Sequence, residues 1–350
     1  MGLFGRNREP ATVTIRPSGR SFPATGKDSL LNEALAAGIP FPHSCTVGTC
    51  GTCKSKLVSG KVREITDAAI TLSSEELADR YILPCQSLAR GAVELHVADL
   101  VDMPDHPLVH TSAVLSGTRA LTHDILEVVV RVDEPFAYTA GQYAELRVPG
   151  ISGPRSYSFA RGAADRAKDE LVFYIRRTPG GEFTEWLFAE DRSGTALEVA
   201  GPFGNLWLRP SGAPALCVAG GSGLAPIKAI LEAAADEGAQ RETIVVFGAR
   251  TARDLYCVEE IEAAAAAMAG SCRFVPVLSE EDPGSDWSGA RGLVTDVVAA
   301  LPADVLSACE VYACGPPPMV DALEAQLGAL RADGVFHADR FLDKKTQRRS

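Results

Sequence analysis

The chain has 350 residues, 46% of them hydrophobic and 23% charged, with a formal net charge of −11; this composition suits a globular protein of two or three domains and excludes a disordered or fibrous one. The acidic excess argues against nucleic acid as a partner, and it is uneven: residues 1–102 carry 11 acidic and 11 basic side chains, residues 103–350 carry 34 and 23. No apolar run reaches the roughly 18–20 residues of a spanning helix, and the start lacks a signal peptide's apolar core, so a cytoplasmic chain beginning near Met1 is expected. Position 6 is Arg where a myristoylation motif needs Ser or Thr.

Taken in order, Ala11–Arg16 alternates as a strand, and Ser29–Ala37 reads as a short helix with Asp28 as its cap. Cys45, Cys50 and Cys53 follow, and Cys85 comes later in Leu-Pro-Cys-Gln. The pattern Cys-x4-Cys-x2-Cys…Cys is the plant-type spacing for a [2Fe–2S] cluster, whose two irons need four thiolates from a wrapping loop. Gly48 and Gly51 supply the positive φ that lets backbone N–H groups turn toward the sulfurs. A four-cysteine zinc site shows two close pairs, and Cys85 has no close partner; a redox dithiol lacks the third cysteine upstream. Cys217, Cys257, Cys272 and Cys309 read as buried structural thiols. With a further strand at Ala92–Val97, residues 1–102 suit a small β-grasp domain. The two prolines of Leu100–Pro107 mark a linker, placed at 103–110.

Residues 111–209 alternate in strand fashion at Ile125–Val132, Gln142–Val148 and Leu171–Arg177, which suggests an antiparallel barrel. Within it, Arg155, Ser156, Tyr157 and Ser158 join a guanidinium, an aromatic face and two hydroxyls. Arg176, Gly181 and Thr184 surround a glycine turn opening a helix at Thr184–Leu187. Arg155 and the N–H groups at that helix start suit a pyrophosphate. Alone, the first motif is equally a half-exposed strand and Gly180-Gly181 a hairpin turn.

Residues 210–350 open with a buried strand at Ala215–Ala219, then Gly220, Gly221, Ser222 and Gly223, and a helix over Ile227–Ala235 with Pro226 at its opening. Strand, glycine turn and helix form the phosphate-binding arrangement of a doubly wound α/β sheet, although this is not the strict G-x-G-x-x-G and a turn without nucleotide function has the same form. The next strand, Thr243–Ala249, ends at Arg250, where a ribose-sensing group belongs; Arg250 and Arg253 favour a 2′-phosphate and Asp254 a free hydroxyl, and composition does not choose. Strands at Arg273–Leu278 and Glu310–Cys314 follow, the latter running into Cys314-Gly315-Pro316 and a helix at Met319–Arg331.

The order of these motifs resembles the ferredoxin–NADP reductase superfamily in its three-domain form, the electron-transfer components of bacterial oxygenases. Phe247–Arg250, Asp254–Cys257, Pro276–Glu281, Arg291–Thr295, Gly315–Asp321 and Ala338–Phe341 carry the resemblance toward the branch serving xylene-type hydrocarbon monooxygenases. It implies a β-grasp 2Fe-2S domain, an antiparallel β-barrel that binds FAD and a doubly wound α/β domain that binds NADH. It further implies that Tyr157 stacks on the flavin, Ser158 approaches its N5, and Arg155, Arg176, Gly181 and Thr184 hold its pyrophosphate. Cys314 and Asp339 would line the hydride path, and Phe341 would cover the opposite ring face. The basic tail Lys344–Arg349 departs from the many relatives that end at that aromatic. The expected partner is an oxygenase or hydroxylase, membrane-bound in the xylene-type systems, served by a monomeric reductase. A Rieske dioxygenase or a deoxysugar dehydrase is the alternative acceptor, and a simple electron carrier or redox sensor the alternative class.

Overall fold

The computed structural model describes residues 10–341 apart from 40, 44–45, 49–50, 98–99, 101–103, 105, 163–168 and 329–334. The chain divides between Pro107 and Leu108 into two compact units.

The first unit contains β1 (Ala11–Arg16), β2 (Ser21–Ala24), α1 (Leu30–Ala36), β3 (Ser55–Ser59), β4 (Val62–Glu64), α2 (Ser74–Ala78), β5 (Tyr81–Ile82), β6 (Ser87–Ala89) and β7 (Val93–His96). Its sheet runs β2-β1-β7-β3-β5, with β1 parallel to β7 and the other pairs antiparallel. The period-two pattern of β1 turns Val13 and Ile15 inward, where they share a core with Leu30, Leu31 and Ala34 of α1. The helix cap is Ser29 rather than Asp28: the Ser29 hydroxyl accepts the Asn32 N–H, while Asp28 accepts from the Ser29 N–H and the Asn32 amide. A serine hydroxyl at this position reaches a first-turn N–H that the carboxylate one residue earlier does not.

The second unit begins with β8 (Val109–Ala120), β9 (Ile125–Val132), β10 (Tyr143–Arg147), β11 (Arg155–Ser158), β12 (Glu170–Arg176), α3 (Glu182–Ala189) and β13 (Ala196–Phe203). β8 starts inside the stretch read as linker, because Val109 and His110 pair with Gly201 and Ala200. The antiparallel order is β11-β10-β13-β8-β9-β12, and a bridge between Phe159 and Phe173 joins the two edges into a nearly closed barrel. The bridge lies at Phe159, one residue past Arg155–Ser158, and so holds the end of that edge strand.

The remainder holds β14 (Ala215–Gly220), α4 (Leu224–Asp236), β15 (Thr243–Ala249), α5 (Val258–Ala267), β16 (Cys272–Leu278), β17 (Ala290–Arg291), α6 (Val294–Ala299), α7 (Ala303–Ala308), β18 (Glu310–Gly315), α8 (Pro317–Gly328) and β19 (Phe336–Arg340). All strands are parallel in the order β17-β16-β15-β14-β18-β19. The order reverses between β14 and β18, so the ligand crevice lies at their carboxyl ends. The helix α4 begins at Leu224, earlier than expected, with Pro226 in its first turn, where the missing N–H costs nothing. Leu224, Ile227, Ile230 and Leu231 of α4 join barrel residues Ile125, Val172 and Tyr174 in one core. Buried Lys228 pairs with Glu232, which also accepts the Gly162 N–H at 3.0 Å. Barrel and sheet are therefore packed as one body, and the two cradles described next are held in fixed relation.

Candidate functional site

In the first unit Cys53 and Cys85 are buried with their Sγ atoms 3.3 Å apart, well beyond the about 2.0 Å of a disulfide. Cys53 lies two residues before the start of β3, and Cys85 sits in a 3-10 turn at Pro84–Gln86. Gln86 donates from Nε2 to the Thr46 carbonyl at 3.1 Å and so ties the loop to that turn. Gly48 and Gly51 both take positive φ, 87° and 71°. Two converging soft donors on a glycine-turned loop fit a cluster ligand set; Cys45 and Cys50 lie outside the described residues. Elsewhere Cys217, Cys257 and Cys309 are buried and Cys272 is half-buried. Burial pushes the Cys217 thiol up to about 12 and that of Cys272 to about 11, so both stay protonated and inert.

On the barrel, β11 pairs with β10 in the register Tyr143↔Ser158 and Leu146↔Arg155. Ser158 is 4% exposed and its hydroxyl has no hydrogen-bond partner among the described residues. An orphaned buried hydroxyl costs about 1–3 kcal/mol unless a ligand satisfies it, and this makes Ser158 the sharpest sign that the cradle is built for a bound group. Tyr157 is half-buried and packs at 5.5 Å, tilted by 39°, on Phe183, while burial raises its phenol above the ordinary range despite the neighbouring Arg155. The Arg155 guanidinium closes its own turn: Nη1 donates to the carbonyls of Ser152, Gly153 and Pro154 at 2.8–3.1 Å. Ser156 is exposed.

The helix expected at Thr184–Leu187 is longer, and Gly181 is the N-cap of α3 without a side-chain cap. The Thr184 hydroxyl, buried beneath it, accepts the Thr178 N–H and donates to the Thr178 carbonyl. A Cβ at Gly181 would lie 2.8 Å from the Thr184 Oγ1, so this turn keeps its backbone open only with glycine. The N-terminal amides of α3 suit a pyrophosphate. Arg176 donates from Nε to the Asp124 Oδ2 at 2.8 Å and its Nη1 lies 3.2 Å from where a Gly221 Cβ would sit, bringing the barrel's cation to the sheet's glycine turn.

That turn is a single 3-10 coil, Gly221–Gly223, with Gly221 at φ +56°. A Cβ on Gly223 would lie 2.2 Å from the Cys314 carbonyl oxygen, and one on Gly220 2.5 Å from the Met319 Sδ. A Cβ on Gly315, at φ +153°, would likewise lie 3.1–3.2 Å from the Gly220 backbone oxygen and nitrogen. The ends of β14 and β18 therefore meet backbone to backbone, beside a cavity of about 420 Å³ lined by Gly220, Gly221, Arg250 and Pro316 on the sheet side and by Asp124 and Arg176 on the barrel side. Both the size and the glycine lining fit a dinucleotide. Ser222 lies in the coil, half-buried.

Cys314 is fully buried; burial, with the Asp339 carboxylate beside it, pushes its thiol well above the ordinary value, so it stays a neutral S–H. Cys314 and Asp339 face each other in the β18–β19 register. Phe341 donates its N–H to the Gly315 carbonyl at 3.0 Å and packs against the core that contains Cys314; the basic tail lies outside the described residues. The helix read at Met319–Arg331 begins earlier, at Pro317, because prolines are tolerated in a first turn, and it is described through Gly328; the expected end at Arg331 lies outside the described residues.

Two site residues escaped sequence reasoning. Tyr256 donates its hydroxyl to the Gly221 carbonyl at 3.0 Å and so braces the coil. Asp124, in an ordinary polar turn between β8 and β9, reaches Arg176 and also stands 3.7 Å from Arg250. Nothing in Thr122-His123-Asp124 signals a partner 126 residues away. Asp254, by contrast, closes its own turn, accepting from the Thr251 N–H and hydroxyl, and Arg253 is exposed.

The family descriptions match in the same order. A 2Fe-2S iron-sulfur cluster binding domain covers residues 13–90, an oxidoreductase FAD-binding domain 112–207 and an oxidoreductase NAD-binding domain 217–325. The chain is 41% identical over 344 residues to the xylene/toluene monooxygenase electron transfer component XylA of Pseudomonas putida, covering 98% of this chain and 97% of that one. It is 34% identical to the ferredoxin–NAD(P)+ reductase component of the naphthalene 1,2-dioxygenase system of Pseudomonas putida, over 89% and 92% of the two chains. Among solved structures, the Amycolatopsis cytochrome P450 reductase GcoB matches at 34% identity and a TM-score of 0.76, over 95% and 98%. No described helix is long and apolar enough to cross a membrane. The chain belongs to the three-domain ferredoxin–NAD(P)H reductases, flavin- and NAD-binding oxidoreductases that carry a 2Fe-2S domain in the same polypeptide.

Proposed function

We propose that this protein is the NADH-oxidising reductase component of a multicomponent monooxygenase acting on aromatic hydrocarbons of the xylene type, and that it delivers electrons to a separate oxygenase protein. The observation that carries this reading is the 41% identity, over 98% of the chain, to a component of that kind. A dioxygenase as acceptor has the weaker support of the 34% match. A membrane-bound acceptor met from the cytoplasm by a monomeric reductase is part of the same proposal.

Cys45, Cys50, Cys53 and Cys85 would hold the cluster. Arg155, Ser156, Tyr157, Arg176, Gly181 and Thr184 would hold FAD, and Gly220 through Gly223, Pro226, Arg250, Gly315 and Pro316 the dinucleotide. When bound, flavin and cluster supply the conversion of a two-electron hydride donor into one-electron delivery. The chain itself contributes position and exclusion of water. The Ser158 hydroxyl donates to whatever acceptor fills its empty side. The neutral Cys314 thiol and the Asp339 carboxylate bound the hydride path without acting as nucleophile or base. The Phe341 backbone is anchored on Gly315, and its ring would cover the flavin.

The test is an anaerobic titration of the purified protein with NADH, followed by ultraviolet–visible absorption. Flavin and iron–sulfur bands that both bleach are expected, and a spectrum without iron–sulfur absorption after reconstitution overturns the reading. In Cys85→Ser, NADH-dependent ferricyanide reduction should persist, while delivery to cytochrome c falls to background.

A further inference from the structure

The barrel and the sheet each bring one guanidinium and one carboxylate to the ribose end of the cavity, Arg176 and Asp124 from the barrel and Arg250 and Asp254 from the sheet. Arg250 directly follows β15, the strand next to β14, where a residue senses the adenosine ribose. Its guanidinium is 51% exposed and would by itself invite a 2′-phosphate. Asp124 changes that balance. Its Oδ2 accepts from the Arg176 Nε at 2.8 Å and lies 3.7 Å from the Arg250 Nη2, while its Oδ1 accepts the Thr122 hydroxyl. The carboxylate is 17% exposed and so is poorly screened. Burial raises its pKa, but the hydrogen bond and charge of Arg176 outweigh this and hold it below the usual carboxylate range. Asp254, with His123 at 3.4 Å, brings a second carboxylate to the same spot. Among the described residues that line this end, two guanidinium groups thus face two carboxylates, so the charge of Arg250 is already matched where a doubly charged phosphate would sit.

We infer that Asp124, a residue of the barrel, is a specificity-determining residue for the dinucleotide: by occupying Arg250 it selects NADH against NADPH. The inference rests on the reading of this cavity as the NADH site. Asp124 acts from the opposite domain, so the discrimination exists only when barrel and sheet are packed together.

The experiment uses the holoprotein and measures two things. The first is kcat/KM for NADH and NADPH in ferricyanide reduction. The second is calorimetric binding of 5′-AMP and adenosine 2′,5′-bisphosphate, which needs no turnover. Wild type should prefer NADH and bind 5′-AMP at least as tightly as the bisphosphate. Asp124→Asn, at unchanged flavin content, should shift both the NADPH/NADH ratio and the bisphosphate/AMP ratio upward by about tenfold, the weight of one charge-assisted hydrogen bond. Asp124→Asn with Arg250→Gln should abolish that gain. A D124N protein that keeps its flavin and both wild-type ratios overturns the inference. So does tighter binding of the bisphosphate to wild type, a result that stands even if D124N does not fold. Binding of neither nucleotide to a protein with full flavin and cluster instead defeats the reading of the site itself.

Discussion

The flavin side and the nicotinamide side of the reductase unit make room for their ligands by opposite means. The barrel offers polar side chains: the orphaned Ser158 hydroxyl, Thr184 under the α3 turn, and the guanidinium of Arg176. The sheet offers the lack of side chains, at Gly220, Gly223 and Gly315, where two strand ends meet backbone to backbone. Antiparallel strands present alternate side chains to a ligand lying along them, whereas parallel strands present their ends, so a phosphate there must be met by amides at short range. The barrel cradle should therefore fail gradually, one contact at a time, and the sheet cradle all at once.

The largest effect is expected at Gly223→Ala. Its φ of −63° suits any residue, but the new Cβ meets the Cys314 carbonyl at 2.2 Å, and neither backbone can yield. Overpacking of this kind costs about 3 kcal/mol or more, and thermal unfolding should show it together with lost NADH binding. Gly220→Ala sharpens the point, because its collision is with the flexible Met319 thioether; the cost should be about 1 kcal/mol. Equal losses in the two variants would break the distinction between rigid and yielding neighbours.

Ser158→Ala should behave in the opposite way. Removing a hydroxyl with no partner leaves the flavin-free protein as stable or slightly more so, while NADH-dependent ferricyanide reduction falls by about a hundredfold if the hydroxyl serves the reacting ring. Stability lost in step with activity would make Ser158 a packing residue.

The smallest effect is on pH dependence. The carboxyls of Asp124, Glu127 and Glu310 are all held below their usual values: burial raises each, but Arg176 on Asp124, Arg119 and Arg161 on Glu127, and Tyr312, Ser211 and Arg241 on Glu310 outweigh it. Lowered folded values mean stability that is fully present above the unfolded value near about 4 and is lost as pH falls through the folded values. Melting temperature should be level above about pH 5 and decline below about pH 4. Glu127→Gln should flatten the decline on the barrel side alone, and an unaltered acid limb would remove Glu127 from the account.

Much of this was legible beforehand because the signals were local. β1, β9 and β15 lie where their alternation or burial put them, since period-two patterning needs only neighbours in sequence. The ends of α1, α3 and α4 and the start of α8 moved, because caps depend on which hydroxyl or proline meets the first turn. Half of β19 and its residue Asp339 were identified only through motif resemblance, as a short edge strand carries little pattern of its own.

What the sequence determined by itself was the inventory and order of chemistry: four spaced cysteines, a guanidinium–aromatic–hydroxyl strand and a glycine turn between strand and helix. Each is a contiguous motif whose residue types state their purpose. Tertiary structure alone decided that Asp124 reaches Arg250 and that Tyr256 braces Gly221. It also decided that Arg155 spends part of its guanidinium on its own turn and that Ser158 has no partner among the described residues. Those are pairings and vacancies across long separations, and a one-dimensional pattern holds no distance from which to read them.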